Sequence, residues 1–154
     1  MTHKLALVFS ALLAWNTAQA ALSVKVDEPK VTGSKAVIKL TMSSTFTKKV
    51  ESARAVAFVL DEKGKMLGQS AQWVIGGSKE KPALEPNQST DFFFVVPMNK
   101  PPASTNGVKA KVTFIRLVLE GGQQMDASKQ VTVEFTGNPS QEKKRPLGPA
   151  EYEE

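Results

Sequence analysis

The chain has 154 residues, with 20 lysines and arginines against 15 aspartates and glutamates, giving a formal net charge of +5. It has no cysteine and one histidine, His3. These counts exclude a disulfide framework. If His3 is lost with a leader, they also exclude serine–histidine and cysteine–histidine nucleophiles and the usual zinc and imidazole–copper sites.

At the N-terminus, His3 and Lys4 precede the apolar run LALVFSALLAW (Leu5 to Trp15), and Ala18-Gln19-Ala20 supplies a small-x-small cleavage pattern. The run is shorter than the roughly 20 residues that a membrane-spanning helix needs. The pattern predicts a signal peptide over residues 1–20, cleaved after Ala20, and a periplasmic or secreted mature chain with no transmembrane segment. His3 and Trp15 leave with the leader. A cysteine-free export substrate of this kind points to a bacterial envelope protein, long enough to bury one core unaided.

From Leu22 onward the apolar pattern has period 2 rather than 3.6. LSVKV alternates Leu22, Val24 and Val26 with polar neighbours. AVIKLTM sets Ile38, Leu40 and Met42 on one side, and ARAVAFVL sets Val56, Phe58 and Leu60 against Ala55, Ala57 and Val59. KMLGQSAQWVI is a weaker strand with a bulge expected at Gly68. TDFFFVV, GVKAKVTFIRLVLE and KQVTVEF complete seven strands, separated by turn clusters such as EPKVTGSK, DEKGK and EGGQQ. Many short strands, regular punctuation and no amphipathic helix predict an all-β fold, an immunoglobulin- or fibronectin-III-like sandwich of about seven antiparallel strands over residues 21–136. From Gly137 the chain loses all apolar periodicity in GNPSQEKKRPLGPAEYEE, which predicts a disordered polar tail over 137–154.

Asp61-Glu62-Lys63-Gly64-Lys65 lies between two of these strands. Two carboxylates are too few for a calcium loop, and a strand rather than a helix follows, which excludes a phosphate loop. The pattern fits a type I turn closed by a glycine at positive φ. Phe58, Leu60, Asp61, Gly64 and the later Pro86-Asn87 turn before an aromatic strand resemble the bacterial FxLYD-type domains. That resemblance implies an immunoglobulin-like, exported accessory domain. It brings no catalytic residue with it.

The remaining chemistry is sparse. Ser78-Lys79-Glu80-Lys81 has the Ser-x-x-Lys spacing but lies in a loop, where nothing desolvates the lysine. Asp91, Glu120, Asp126 and Glu134 fall at outward or turn positions, where acids are normally solvated. The sequence therefore predicts no enzyme, no cofactor and no metal site. The lysines are dispersed rather than interleaved with aromatics, which argues against nucleic acid and leaves an anionic envelope surface as a partner.

Two strands are apolar on both sides. FFFVV places Phe93 and Val95 opposite Phe92, Phe94 and Val96. VTFIRLVL places Ile115, Leu117 and Leu119 opposite Val112, Phe114 and Val118, with Arg116 among the second set marking a bulge that swaps faces midway. With this strand beside ARAVAFVL, the outer face is expected to show Ala55, Ala57, Val59, Ile115, Leu117 and Leu119 as an apolar patch for an envelope protein or a second copy. The alternative is an anionic glycan, lipid head group or small ligand bound by Trp73, Lys79 and Lys81.

Overall fold

A computed structural model describes residues 21–137. The expected leader and the tail beyond Gly137 lie outside these residues. Among the described residues there are nine strands: β1 (Leu22–Val26), β2 (Lys30–Thr32), β3 (Lys35–Ser44), β4 (Val50–Leu60), β5 (Met66–Ile75), β6 (Ser89–Pro97), β7 (Lys109–Leu119), β8 (Gln123–Met125) and β9 (Val131–Phe135). One helical turn, α1 (Ala127–Gln130), is capped by Asp126, whose carboxylate accepts from the backbone N–H of Ser128.

The strands form two sheets. In the five-stranded sheet β3 is central. It pairs with β6 on one edge and with β1 and β2 on the other, and β9 lies beyond β1. The four-stranded sheet runs β5-β4-β7-β8. The fold is thus an all-β sandwich, as the period-2 pattern predicts. Two details differ. The three-residue strands β2 and β8 sit inside segments that read as turns, because three residues are too few to show a period. And β1 pairs with β9 in parallel, so the sheets are not wholly antiparallel.

The core lies between the sheets. Leu22, Val24, Ile38, Leu40, Met42 and Phe94 contribute its bulk from the five-stranded sheet, all fully or almost fully buried. The facing side of β4 presents Ala53, Ala55, Ala57 and Val59, also buried. Small residues there leave room for the large side chains opposite, so volume is shared unequally between the two layers. Phe92 packs edge-on against Phe94, with ring centres 5.1 Å apart.

Four local irregularities set the parity of the strands. On β4 the register skips Glu51, and on β7 it skips Ile115, between the pairs Arg54↔Arg116 and Ala55↔Phe114. On β5 it skips Val74, between the pairs Ala53↔Ile75 and Arg54↔Trp73, and shifts again at Leu67, beside Gly68. Gly68 is required by close approach: a Cβ there would collide with the Pro97 carbonyl, where β5 and the end of β6 meet. The Asp61 segment is a turn. Asp61 Oδ1 accepts from the N–H groups of Lys63 (2.9 Å) and Lys65 (2.8 Å), and Gly64 takes φ 81°.

Candidate interaction surfaces

The expected apolar patch does not form. Ala55, Ala57, Val59, Leu117 and Leu119 all face the core, and only Ile115 is exposed, at 54%. β4 is apolar on both sides, and size alone predicts that its larger side faces inward. Packing reverses that choice: the small side faces the opposite sheet, and Val56, Phe58 and Leu60 stay half-buried on the outer face. On β7 the bulge falls at Ile115 rather than Arg116, and it separates Ile115 from Leu117 and Leu119 instead of leaving the three on one face. It turns Val112 and Phe114 inward before it and Leu117 and Leu119 inward after it.

The exposed apolar surface is instead on β6, at the edge of the five-stranded sheet. Phe93 and Val95 are 56% and 45% exposed, and their register partners on β3 are Lys39 and Val37. All nine residues of β6 pair with β3 without a bulge. Apart from one bridge between Gly68 and Met98 just past its end, no described strand pairs with its other edge. Lys39 reaches Asp91 at 3.2 Å, and the Thr41 hydroxyl donates to the same carboxylate at 2.8 Å. The Thr41 and Lys39 hydrogen bonds hold the Asp91 carboxyl below its ordinary pKa. Lys30 and Lys35 stand exposed nearby, without a carboxylate partner among the described residues. A shallow depression of about 70 Å³ lies between Phe93, Val37, Lys30, Lys39, Asp27 and Glu28.

A second cluster lies on the outer face of the four-stranded sheet. Arg54 on β4 is in register with Trp73 on β5 and with Arg116 on β7. The Arg54 guanidinium carbon lies 5.7 Å from the centre of the Trp73 ring and that of Arg116 lies 5.9 Å away. Lys81 belongs to this neighbourhood but is already engaged. Its ammonium donates to the Trp73 carbonyl at 2.8 Å and sits 4.8 Å from the Phe92 ring centre. Lys79 is exposed in the loop beyond. Of the three residues expected to bind a ligand, Trp73 lies beside two arginines, Lys81 is engaged within the fold, and Lys79 stands apart in the loop. An arginine inside each of two apolar strands was the available signal for that pair.

Among the described residues, no group of three or more histidines, cysteines or carboxylates is placed to hold a metal ion. An open cleft of about 350 Å³ between β5 and the end of β6 is lined by Met66, Gln69, Met98 and Asn99 without an ionisable side chain. It offers nothing for acid–base chemistry.

These layers and surfaces define an all-β sandwich with two chemically different outer faces. No family model matches the chain, and no curated protein matches it significantly. Among solved structures, it is similar to a Bordetella pertussis protein provisionally designated ApaA, with 15% identity and a TM-score of 0.47 over 69% of this chain and 85% of that one. It is also similar to IrmA from Escherichia coli, with 12% identity and a TM-score of 0.45 over 78% of this chain and 94% of that one.

Proposed function

We propose that the protein is an exported, non-catalytic β-sandwich that binds another envelope protein by strand addition along β6. The observation that carries this reading is the β6 edge, nine residues long and without a bulge, whose one charge, Asp91, is taken up by Lys39 and Thr41 and whose outward positions Phe93 and Val95, before the terminal Pro97, are apolar and exposed. Soluble proteins normally blunt such an edge with charges, bulges or cover, because its unpaired N–H and C=O groups template pairing with another chain. An added strand would satisfy those groups, and its outward side chains would extend the surface of Phe93 and Val95. The uncompensated Lys30 and Lys35 favour a partner strand flanked by acids. Export is supported by the leader pattern of residues 1–20. The non-catalytic reading is supported by the structural roles of two of the acids: Asp91 is tied to Thr41 and Lys39, and Asp126 caps α1.

Site-specific photocrosslinking in the native cell tests this. A photoreactive residue at Phe93 or Val95 should give one discrete protein adduct, and one at Glu134 on the opposite edge strand should give none. A Val95→Lys change should abolish the Phe93 adduct while leaving the unfolding midpoint within error. No adduct, or the same adducts from both edges, refutes the reading. An adduct of two copies of this chain would replace the heterologous partner with self-association.

A further inference from the structure

We infer that Arg54, Arg116 and Trp73 form a binding site for a phosphate monoester on the outer face of the four-stranded sheet. Two like charges at directly opposed positions of a sheet repel each other, and a fold that needed only surface polarity would not place them so. Neither arginine has a carboxylate within ion-pair distance among the described residues. Arg54 Nε is moreover buried without a hydrogen-bond partner. Buried polar groups are normally paired, so the guanidinium is held without an internal hydrogen bond at this nitrogen, which is itself covered and leaves contact with a ligand to the rest of the fork.

What holds it is the indole. Both guanidinium carbons lie within 6 Å of the Trp73 ring centre, and the loop at Gly77 packs directly on the ring. The Lys81 ammonium fixes the Trp73 carbonyl from the same loop. The ring is thus a platform fixed by the loop, and it orients two planar donor forks whose geometry suits oxyanions.

Charge selects among oxyanions. Two guanidiniums carry two positive charges, which a carboxylate half-neutralises and a phosphate monoester, at about −1.5 to −2 near neutral pH, neutralises almost fully. Toward one end of the sheet the flanking positions carry no acid, since β4 continues with Val56 and Phe58, β5 with Ala71 and Gln69, and β7 with Thr113 and Lys111, and toward the other the Glu51 carboxylate accepts from the Gly121 N–H. A small or apolar moiety attached to the phosphate would rest on the half-buried Trp73 and Val56.

The probe is glycerol 3-phosphate, with glycerate as the carboxylate comparator and vesicles of phosphatidic acid in phosphatidylcholine as the membrane-borne monoester. The readout is Trp73 fluorescence in the full chain carrying Trp15→Phe, so that one indole reports. A saturable change with glycerol 3-phosphate or with phosphatidic acid vesicles is expected, and which of the two binds tells a free ligand from a lipid head group. Arg54→Gln and Arg116→Gln should each weaken it about tenfold or more, and Arg116→Lys should also weaken it, since the charge stays but the fork is lost. All three should leave the unfolding midpoint close to that of the parent. No saturable change with either phosphate form overturns the site. So does glycerate binding as tightly as glycerol 3-phosphate, or glutamine variants that respond as the parent does.

Discussion

Leu117 and Ile115 lie two residues apart on β7, and simple alternation would put them on the same face. The bulge separates them: Leu117 is 0% exposed and Ile115 is 54% exposed. Truncating Leu117 to alanine removes three buried carbons, about 2.4 kcal/mol at roughly 0.8 kcal/mol each. The cavity left in the core adds about 1–2 kcal/mol, for a total near 4 kcal/mol. Truncating Ile115 removes carbons already half in water and leaves no enclosed void, so the cost is about 1 kcal/mol or less. With a urea dependence of about 2 kcal/mol per molar, the midpoint should fall by about 2 M for Leu117→Ala and by less than about 0.5 M for Ile115→Ala. Equilibrium urea unfolding followed by fluorescence measures both. Equal shifts, or a larger one for Ile115→Ala, would refute the placement of the bulge and with it the inward assignment of Leu117 and Leu119.

Gly68→Ala should cost about 1–3 kcal/mol, because its Cβ meets the Pro97 backbone rather than a side chain that can move aside; the same unfolding assay reads it. Acid titration should show a contribution from Asp91, whose pKa is lowered chiefly by the Thr41 hydroxyl and then by Lys39. A lowered folded-state pKa means that the unfolded chain binds the proton first. The associated stability is therefore complete above the unfolded value of about 3.9 and is lost as pH falls through the lower folded value. Asp91→Asn should flatten that part of the stability–pH curve, and an unchanged acid limb would count against the Thr41–Lys39 network. Deleting Ile115 removes the unpaired residue and leaves Arg54↔Arg116 and Ala55↔Phe114 as consecutive pairs of an ordinary ladder, with Phe114 and Leu117 still inward and Arg116 still outward. It should therefore lower the midpoint by less than Leu117→Ala does, and a larger fall would count against the bulge at Ile115.

The fold class was legible because alternation over Leu22–Val26, Ala36–Met42 and Val131–Phe135 has one plain apolar side, and a single side leaves one parity to choose. It was not legible for β4. There both sides are apolar, and hydrophobicity alone sends the larger side chains inward. The deciding quantity is the volume already supplied by Ile38, Leu40, Met42 and Phe94 from the other sheet, which no local window contains. β6 was half legible. Its two-sidedness was evident in FFFVV, but which side met water is set by the register with β3, where Phe94 pairs with the inward Ile38 and Phe93 with Lys39. The arginine pair was illegible for a further reason. Arg54 and Arg116 are far apart in sequence, and their opposition depends on a register that two bulges reset.

The bulge also connects packing to the proposed ligand site. Strict alternation from Val112 and Phe114 would turn Arg116 toward the core and Leu117 and Leu119 toward solvent. One extra residue at Ile115 reverses both, so the same irregularity that completes the core brings Arg116 out beside Arg54 and within reach of Trp73. Bulges concentrate where a sheet must re-aim a side chain. A core-forming role alone is satisfied by a leucine or valine at position 116 with ordinary alternation and needs no bulge. Keeping an arginine there, directly opposite another arginine and without a carboxylate to offset either, is what a purely structural account leaves without a cause.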